Sequence, residues 1–281
     1  MAKILTVEGL CKRYPAFSLD SVSFSMDEGT IMGFIGRNGA GKTTTLKSIL
    51  RFVRPDAGKV TALGLDMAEH EREIRAQLGF VSGGISYYPR KRIGELTSVT
   101  RAFYDNWDET LYESCLRRFS LDENKRVSEL SEGMKVKYQL AVAMSHRARL
   151  LMFDEPTSGL DPVSRDDLLD LFLTLQEEGA SILFSSHITS DLEKCAKQIT
   201  YIRNGKILAS CPMADFLARW RLVKGAPEAL TPALQKTLIG VQSHQAGFEA
   251  LAPVGADAPG CQLLAPTLEN IMVHLEREAG V

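Results

Sequence analysis

Apolar and polar residues change their period several times along the 281-residue chain, and each change marks a different element. Ile4–Val7, Val22–Met26 and Ile31–Ile35 are short strand patterns set between Gly- and Asp-containing turns. Thr30–Ile35 is almost continuously apolar, as a strand buried on both faces requires. Leu46, Ile49, Leu50 and Val53 then fall at i, i+3, i+4 and i+7, which predicts a helix that Arg54-Pro55-Asp56 ends. Pro55-Asp56-Ala57-Gly58 reads as a turn and Gly79–Ser82 as a short strand. From about 85 to 147 the pattern is helical and polar, suggesting an inserted helical lobe. Strands and helices alternate again over 148–208, the order of a parallel α/β sheet, with Leu150–Asp154 and Ser181–Ser185 among its strands. Ile199–Ile202 and Ile207–Ala209, joined through Asn204-Gly205, predict a hairpin with a type I′ turn. Over 211–281 periodicity is weak until Leu268, Ile271, Met272 and Leu275 mark one amphipathic helix. The expected organisation is a large domain over 1–210, its helical lobe at about 85–147, and a small C-terminal appendage at 211–281 to which no chemistry is assigned.

Composition narrows the classes. Hydrophobic residues make up 44% of the chain, enough for a substantial core, and the formal net charge of −2 supplies no bulk attraction to nucleic acid. The cysteines Cys11, Cys115, Cys195, Cys211 and Cys261 are scattered and odd in number, which favours reduced thiols in a cytosolic protein. No stretch approaches the roughly 20 apolar residues of a membrane helix. The N-terminus alternates like a strand and lacks a signal-peptide core, so a membrane role is expected to need a partner.

The first chemical signal is Gly36-Arg37-Asn38-Gly39-Ala40-Gly41-Lys42-Thr43-Thr44, which fits G-x-x-x-x-G-K-[ST]. In such a loop the backbone N–H groups wrap a polyphosphate, the Lys reaches the β- and γ-phosphates, and the Thr hydroxyl enters the Mg²⁺ shell. A strand precedes the loop and a helix follows it, so the phosphates meet a positive helix N-terminus. A bound nucleotide is the expectation.

A second group of residues comes later. Leu150–Asp154 followed by Glu155 is an apolar run with an acidic tip. Open α/β sheets bind ligands at the carboxyl ends of their strands. Asp154 is therefore expected near the phosphates, holding Mg²⁺ through water, with Glu155 as general base for a water attacking the γ-phosphate. Taken alone, the pair is equally compatible with surface acids at a strand end. Asp161 before Pro162 is a strong helix start and needs no further role. His187 follows a strand; a lone His there more often packs or faces solvent, but this strand belongs to the same sheet, which would aim it at the γ-phosphate. Leu130-Ser131-Glu132-Gly133-Met134 opens a helix with Ser131 as N-cap, which is either an ordinary cap or an anion site.

Together these segments resemble the nucleotide-binding subunit of an ABC transporter over residues 1 to about 210. Gly36–Thr44 matches the Walker A loop, Leu151–Glu155 Walker B with its catalytic Glu, and Leu130–Met134 the LSGGQ signature in the form LSEGM. Ser158–Asp161 matches the D-loop, and His187 the switch histidine. Tyr14 stands 22 residues before Gly36, where the family places an adenine-stacking aromatic; by itself it is also a candidate for core packing. The resemblance implies an α/β P-loop NTPase fold of the ABC type, with an N-terminal antiparallel β subdomain. It implies Mg²⁺ with ATP, and a head-to-tail dimer in which Ser131 and Gly133 of one subunit complete the ATP site of the other, Asp161 adjoining it. ATP would close that dimer, homo- or heteromeric, and hydrolysis would open it, moving a membrane permease.

The sequence departs from the family after Leu78–Ser82, where a Gln is usual and Ser82-Gly83 stands instead. No side chain is assigned that role. The permease is expected to dock near 83–107, where Tyr87, Tyr88, Phe103, Tyr104 and Trp107 are suited to anchoring a helix unless they fill the lobe's own core. LSEGMK and the ending Pro266–Ile271 resemble the ABC-2-type exporters of drugs, bacitracin and peptides, and 83–110 faintly resembles exporters of phenol-soluble modulins. The rival readings are a soluble ABC ATPase acting on ribosomes or DNA, which usually carries two tandem domains, and a regulatory subunit with weak turnover.

Overall fold

The computed structural model describes residues 2–82 and 88–278, which divide into two compact units at 210/211. In the first, the chain runs β1 (Lys3–Tyr14), β2 (Phe17–Asp27), β3 (Ile31–Ile35), α1 (Lys42–Ile49), β4 (Ala57–Ala62), β5 (Leu65–Asp66), α2 (Glu71–Arg75) and β6 (Leu78–Ser82). It continues through α3 (Ile93–Thr100), α4 (Glu109–Arg118), α5 (Glu132–Ser145), β7 (Leu150–Asp154), α6 (Pro162–Glu177), β8 (Ser181–Ser186), α7 (Thr189–Cys195), β9 (Gln198–Arg203) and β10 (Lys206–Pro212).

Two sheets form this unit. One is antiparallel in the order β2-β1-β4-β5. Its first two strands are longer than the alternation predicts. Register shifts in the β1–β2 ladder, at Lys3/Leu5, Val7/Leu10 and Leu10/Lys12, swap the inward face, so period 2 is lost from the sequence while pairing continues. The other sheet has the order β10-β9-β3-β8-β7-β6, with β6, β7, β8, β3 and β9 parallel. Every residue of β3, β7 and β8 is buried, which accounts for their apolar runs. Leu5 and Met26 of the first sheet, Phe34, Leu46 of α1, and Met152 share one core. On the opposite face Phe172 of α6 packs on Phe153 and Phe184, with ring centroids 4.5 and 5.5 Å away. Asn204 and Gly205 both hold positive φ, as the type I′ turn between β9 and β10 demands.

The helical lobe comprises α3, α4 and α5. Its interior is tied by the Thr97 hydroxyl, which lies 2.8 Å from the Tyr112 hydroxyl and 3.0 Å from that of Tyr138. Of the aromatics over 83–107, Tyr87 lies outside the described residues. Tyr104 stacks on His146 and Trp107 packs against Tyr112, whereas Tyr88 and Phe103 are 69% and 79% exposed.

The second unit contains α8 (Met213–Ala218), β11 (Trp220–Gly225), α9 (Pro232–Gln235), β12 (Ile239–His244), β13 (Gly247–Pro253), β14 (Gln262–Leu264) and α10 (Leu268–Glu278). The amphipathic pattern at 268–275 is α10. The preceding stretch, patternless in sequence, is an antiparallel sheet in the order β12-β13-β11-β14. Its core is built on Val223, Phe248, Ala250 and Ala252, and small Ala side chains weaken the period-2 contrast.

Candidate functional site

The carboxyl ends of β3, β7 and β8 bring the predicted residues together. β3 feeds the loop Gly36–Gly41, and α1 starts at Lys42 with Gly41 as its N-cap at φ 114°. A side chain there would strain the backbone and press within 2.8 Å of the Phe17 ring and 2.9 Å of Leu19. A Cβ at Gly36 would sit 2.4 Å from the Ile202 carbonyl. The loop therefore exposes backbone N–H groups at a helix N-terminus, the geometry that suits an anion. Asn38, Gly39, Gly41, Lys42, Thr43 and Thr44 line a concavity with Ala16, Phe17 and Glu155. Arg37 and Ala40 complete the loop, with the Ala40 N–H bonded to the Arg37 carbonyl at 3.0 Å.

Lys42 is 5% exposed and donates to the Gly36 and Arg37 carbonyls at 2.7 and 3.2 Å, and its ammonium lies 3.0 Å from Glu155 Oε1. Thr43 Oγ1 donates to Asp154 Oδ1 at 3.0 Å. Asp154 is buried at the last position of β7, opposite Ser82 of β6 and Ser185 of β8 in register. Glu155 leaves the strand at φ 51°, a left-handed conformation that turns its side chain back toward Lys42 and His187. His187 Nδ1 approaches Glu155 Oε2 at 2.7 Å; since a carboxylate only accepts, the proton of this bond sits on Nδ1.

The other predicted residues lie further off. Tyr14, 43% exposed, lines a second concavity that shares Ala16 and Phe17 with the phosphate loop, and the Lys12 ammonium stands 5.7 Å from its ring centroid. Ser131 caps α5 by accepting the Met134 N–H at 3.2 Å. A Cβ on Gly133 would meet nothing closer than 3.8 Å, so this subunit's own packing does not demand glycine there. Asp161 caps α6, accepting from Val163 and Ser164 N–H at 3.0 and 3.1 Å, and hydrogen bonding from Ser164 first, then Val163, holds its carboxyl below the ordinary value. Ser82 is buried at the end of β6, and Gly83 falls outside the described residues.

Three neighbours escape sequence reasoning. Phe17 floors the phosphate loop and reads in sequence only as a strand aromatic. Ser185 is a buried serine in an apolar strand, the one hint of a role. Asp191, on the first turn of α7, is buried, and that burial pushes its carboxyl up against the opposing pull of Thr157, Arg165 and His187.

The donor set fits a hard cation: a hydroxyl and a carboxylate converge within 3.0 Å beside a nest of backbone N–H groups. Such a site has room and donors for a polyphosphate, and it sets the Glu155 carboxylate against the His187 imidazole beside it.

Comparisons with known proteins agree. A family model described as ABC transporter matches residues 19–158. The chain is 31% identical over 225 residues to the bacitracin transport ATP-binding protein BcrA of Bacillus licheniformis, spanning 79% of this chain and 74% of that protein. It is 29% identical over 275 residues to the Nod factor export ATP-binding protein I of Ralstonia nicotianae, spanning 95% and 78%. A solved structure of an ATP-binding subunit of an ABC transporter superposes with a TM-score of 0.68 at 29% identity, over 75% of this chain and 91% of that one. With that fold and those relatives, the chain belongs to the ATP-binding subunits of ABC transporters, ATPases whose ATP hydrolysis is coupled to transport.

Proposed function

We propose that the chain powers an exporter through an ATP-closed dimer, in the cytoplasm on the inner face of the membrane. The observation that carries the catalytic part is the convergence of Lys42, Thr43, Asp154, Glu155 and His187 within hydrogen-bonding distances at one edge of the parallel sheet. ATP would lie with its phosphates in Gly36–Thr44 and its base toward Tyr14. Entry of the phosphates draws the Lys42 ammonium away from Glu155, which frees that carboxylate to accept a proton from the attacking water. His187, held by Glu155 through Nδ1, keeps Nε2 for the γ-phosphate or the water. Thr43 and Asp154 would hold Mg²⁺, which neutralises phosphate charge when bound.

Dimerisation is supported by the exposed N-terminus of α5 and by a glycine at 133 with room around it, both explained if Ser131 and Gly133 approach a phosphate held by a second subunit. The export reading rests on the relatives' names. A groove of about 1010 Å³, lined by Arg72, Arg75, Gln77, Phe103, Tyr104 and Asn106, supports a permease docking site there; exposed Phe103 and charged Arg72 suit a short amphipathic segment. Glu155→Gln tests the core of the proposal. Turnover is expected to fall by about 10²-fold or more while ATP binding persists and a dimer accumulates in size-exclusion chromatography. Near-normal turnover in that variant would overturn Glu155 as the base.

A further inference from the structure

The Ser185 hydroxyl joins two groups that the reaction must keep in register. It donates to Asp154 Oδ1 at 2.8 Å and accepts the Glu155 backbone N–H at 3.0 Å. Ser185 is wholly buried in β8, so water cannot replace either bond. The same Oδ1 also receives the Thr43 hydroxyl at 3.0 Å, so Asp154 is gripped from α1 on one side and from β8 on the other. Glu155 holds φ 51°, which a residue with a side chain keeps only where its surroundings impose it. The bond from its N–H to Ser185 is one such constraint, placed on the strand next to β7.

We propose that Ser185 is a positioning residue for ATP hydrolysis: its hydroxyl locks the metal-holding carboxylate of Asp154 to the backbone of Glu155, fixing where the base stands relative to the phosphates. This rests on the roles proposed above for Asp154 and Glu155. Without the hydroxyl, Asp154 keeps only Thr43 among the described residues, and the left-handed turn at Glu155 loses its tie to β8. Both carboxylates then sample positions off the reacting line, while the Gly36–Gly41 loop, which makes no contact through Ser185, still takes up the nucleotide.

The full-length chain is assayed as wild type, Ser185→Ala, Ser185→Cys and Ser185→Thr. Ser185→Ala is expected to lower kcat by roughly 10- to 100-fold, the scale of a small misplacement of reacting groups. It should also raise the Mg²⁺ concentration for half-maximal rate, and weaken Mn²⁺ binding to the nucleotide-loaded protein measured by electron paramagnetic resonance. Binding of a fluorescent ATP analogue in EDTA should stay within about twofold of wild type, since the loop itself is intact. Ser185→Thr, which restores the hydroxyl on a β-branched residue suited to a strand, should recover most of the rate and the metal affinity. Wild-type kcat and metal affinity in Ser185→Ala overturn the proposal, as does loss of metal-free nucleotide binding in step with kcat, the mark of a merely structural role. Should Ser185→Ala fail to fold, Ser185→Cys decides: its weak donor predicts a reduced rate and metal affinity, and wild-type values for both overturn the proposal. Glu155→Gln measured in parallel separates the two claims. A slow Glu155→Gln with a wild-type Ser185→Ala removes only Ser185, whereas an active Glu155→Gln removes the reading on which it depends.

Discussion

Glu155 shows what one dihedral contributes. Had the residue continued β7 in extended geometry, its carboxylate would not meet both Lys42 and His187; at φ 51° it does, at 3.0 and 2.7 Å. His146 makes a different point. Its ring is buried, stacked face to face on Tyr104 with centroids 4.0 Å apart, and its Nδ1 donates to the Ala76 carbonyl at 3.2 Å. Desolvation by that burial holds the imidazole below its ordinary value of 6.5, more than the hydrogen bond to Ala76 lifts it. The unfolded chain therefore binds the proton more readily than the folded one. Above 6.5 both states are neutral at this site and its stability contribution is complete; as pH falls from 6.5 toward the depressed folded value, that contribution is lost. The melting temperature is expected to drop between pH 7 and pH 5, and His146→Gln should flatten that slope. An equal slope in the variant would place the acid sensitivity elsewhere.

Among the elements, α5 links two properties. Ser131 caps its start beside Gly133, and its far end, His146, forms part of the packing beneath the groove residues Tyr104 and Asn106, with Asn106 Nδ2 donating to the His146 carbonyl at 2.6 Å. The lobe around α5 is specified by polar as well as apolar contacts. Thr97 serves Tyr112 and Tyr138 at once, and the Tyr138 hydroxyl also reaches the Ile93 carbonyl at 3.2 Å. Burial is the main influence raising both phenols, so they stay neutral donors at any working pH. Thr97→Val keeps the shape but takes a buried partner from both hydroxyls, leaving Tyr138 its bond to the Ile93 carbonyl, so it should cost about 1–3 kcal/mol in urea unfolding. A loss below ~0.5 kcal/mol would mean the tyrosines find other partners. The parallel strands and the helices α1, α5, α6 and α10 were legible because each carries its period or its cap within a few neighbouring residues. Asp161 with Pro162, and Ser131, are local signals read without any partner, whereas the stripe from Leu46 to Val53 overruns its helix: α1 ends at Ile49, and Arg51 turns the chain away at φ 56°. Strands β11 to β14 were not legible, because short segments without a clear alternation of apolar and polar residues declare a strand only when a neighbour pairs with them.

For the whole molecule, the two units each have an apolar core of their own, one spread over both sheets of 1–210 and one around Phe248 in 211–281. Residues 1–210 contain all of the site residues named above. Expressed alone, this segment is expected to melt cooperatively and to bind ATP with an affinity within about threefold of the full chain, as independent sites add. A non-cooperative melt, followed by circular dichroism, would show that its core does not suffice alone.

The primary structure by itself determined the chemistry available: the phosphate loop Gly36–Thr44, the acidic tip at Asp154 and Glu155, the histidine at 187 and the capped helix at Ser131. Each is a contiguous motif, because a tight turn, a strand end or a helix cap is specified by neighbours in sequence. Only the tertiary structure decided how they meet. The order β3-β8-β7 sets strand ends from residues 35, 186 and 154 side by side. That adjacency turns Ser185 from a strand residue into the tie between Asp154 and Glu155, and Phe17 into the floor of the phosphate loop. Contacts between residues far apart in sequence leave no period or spacing to read, since they exist only once the sheet has paired.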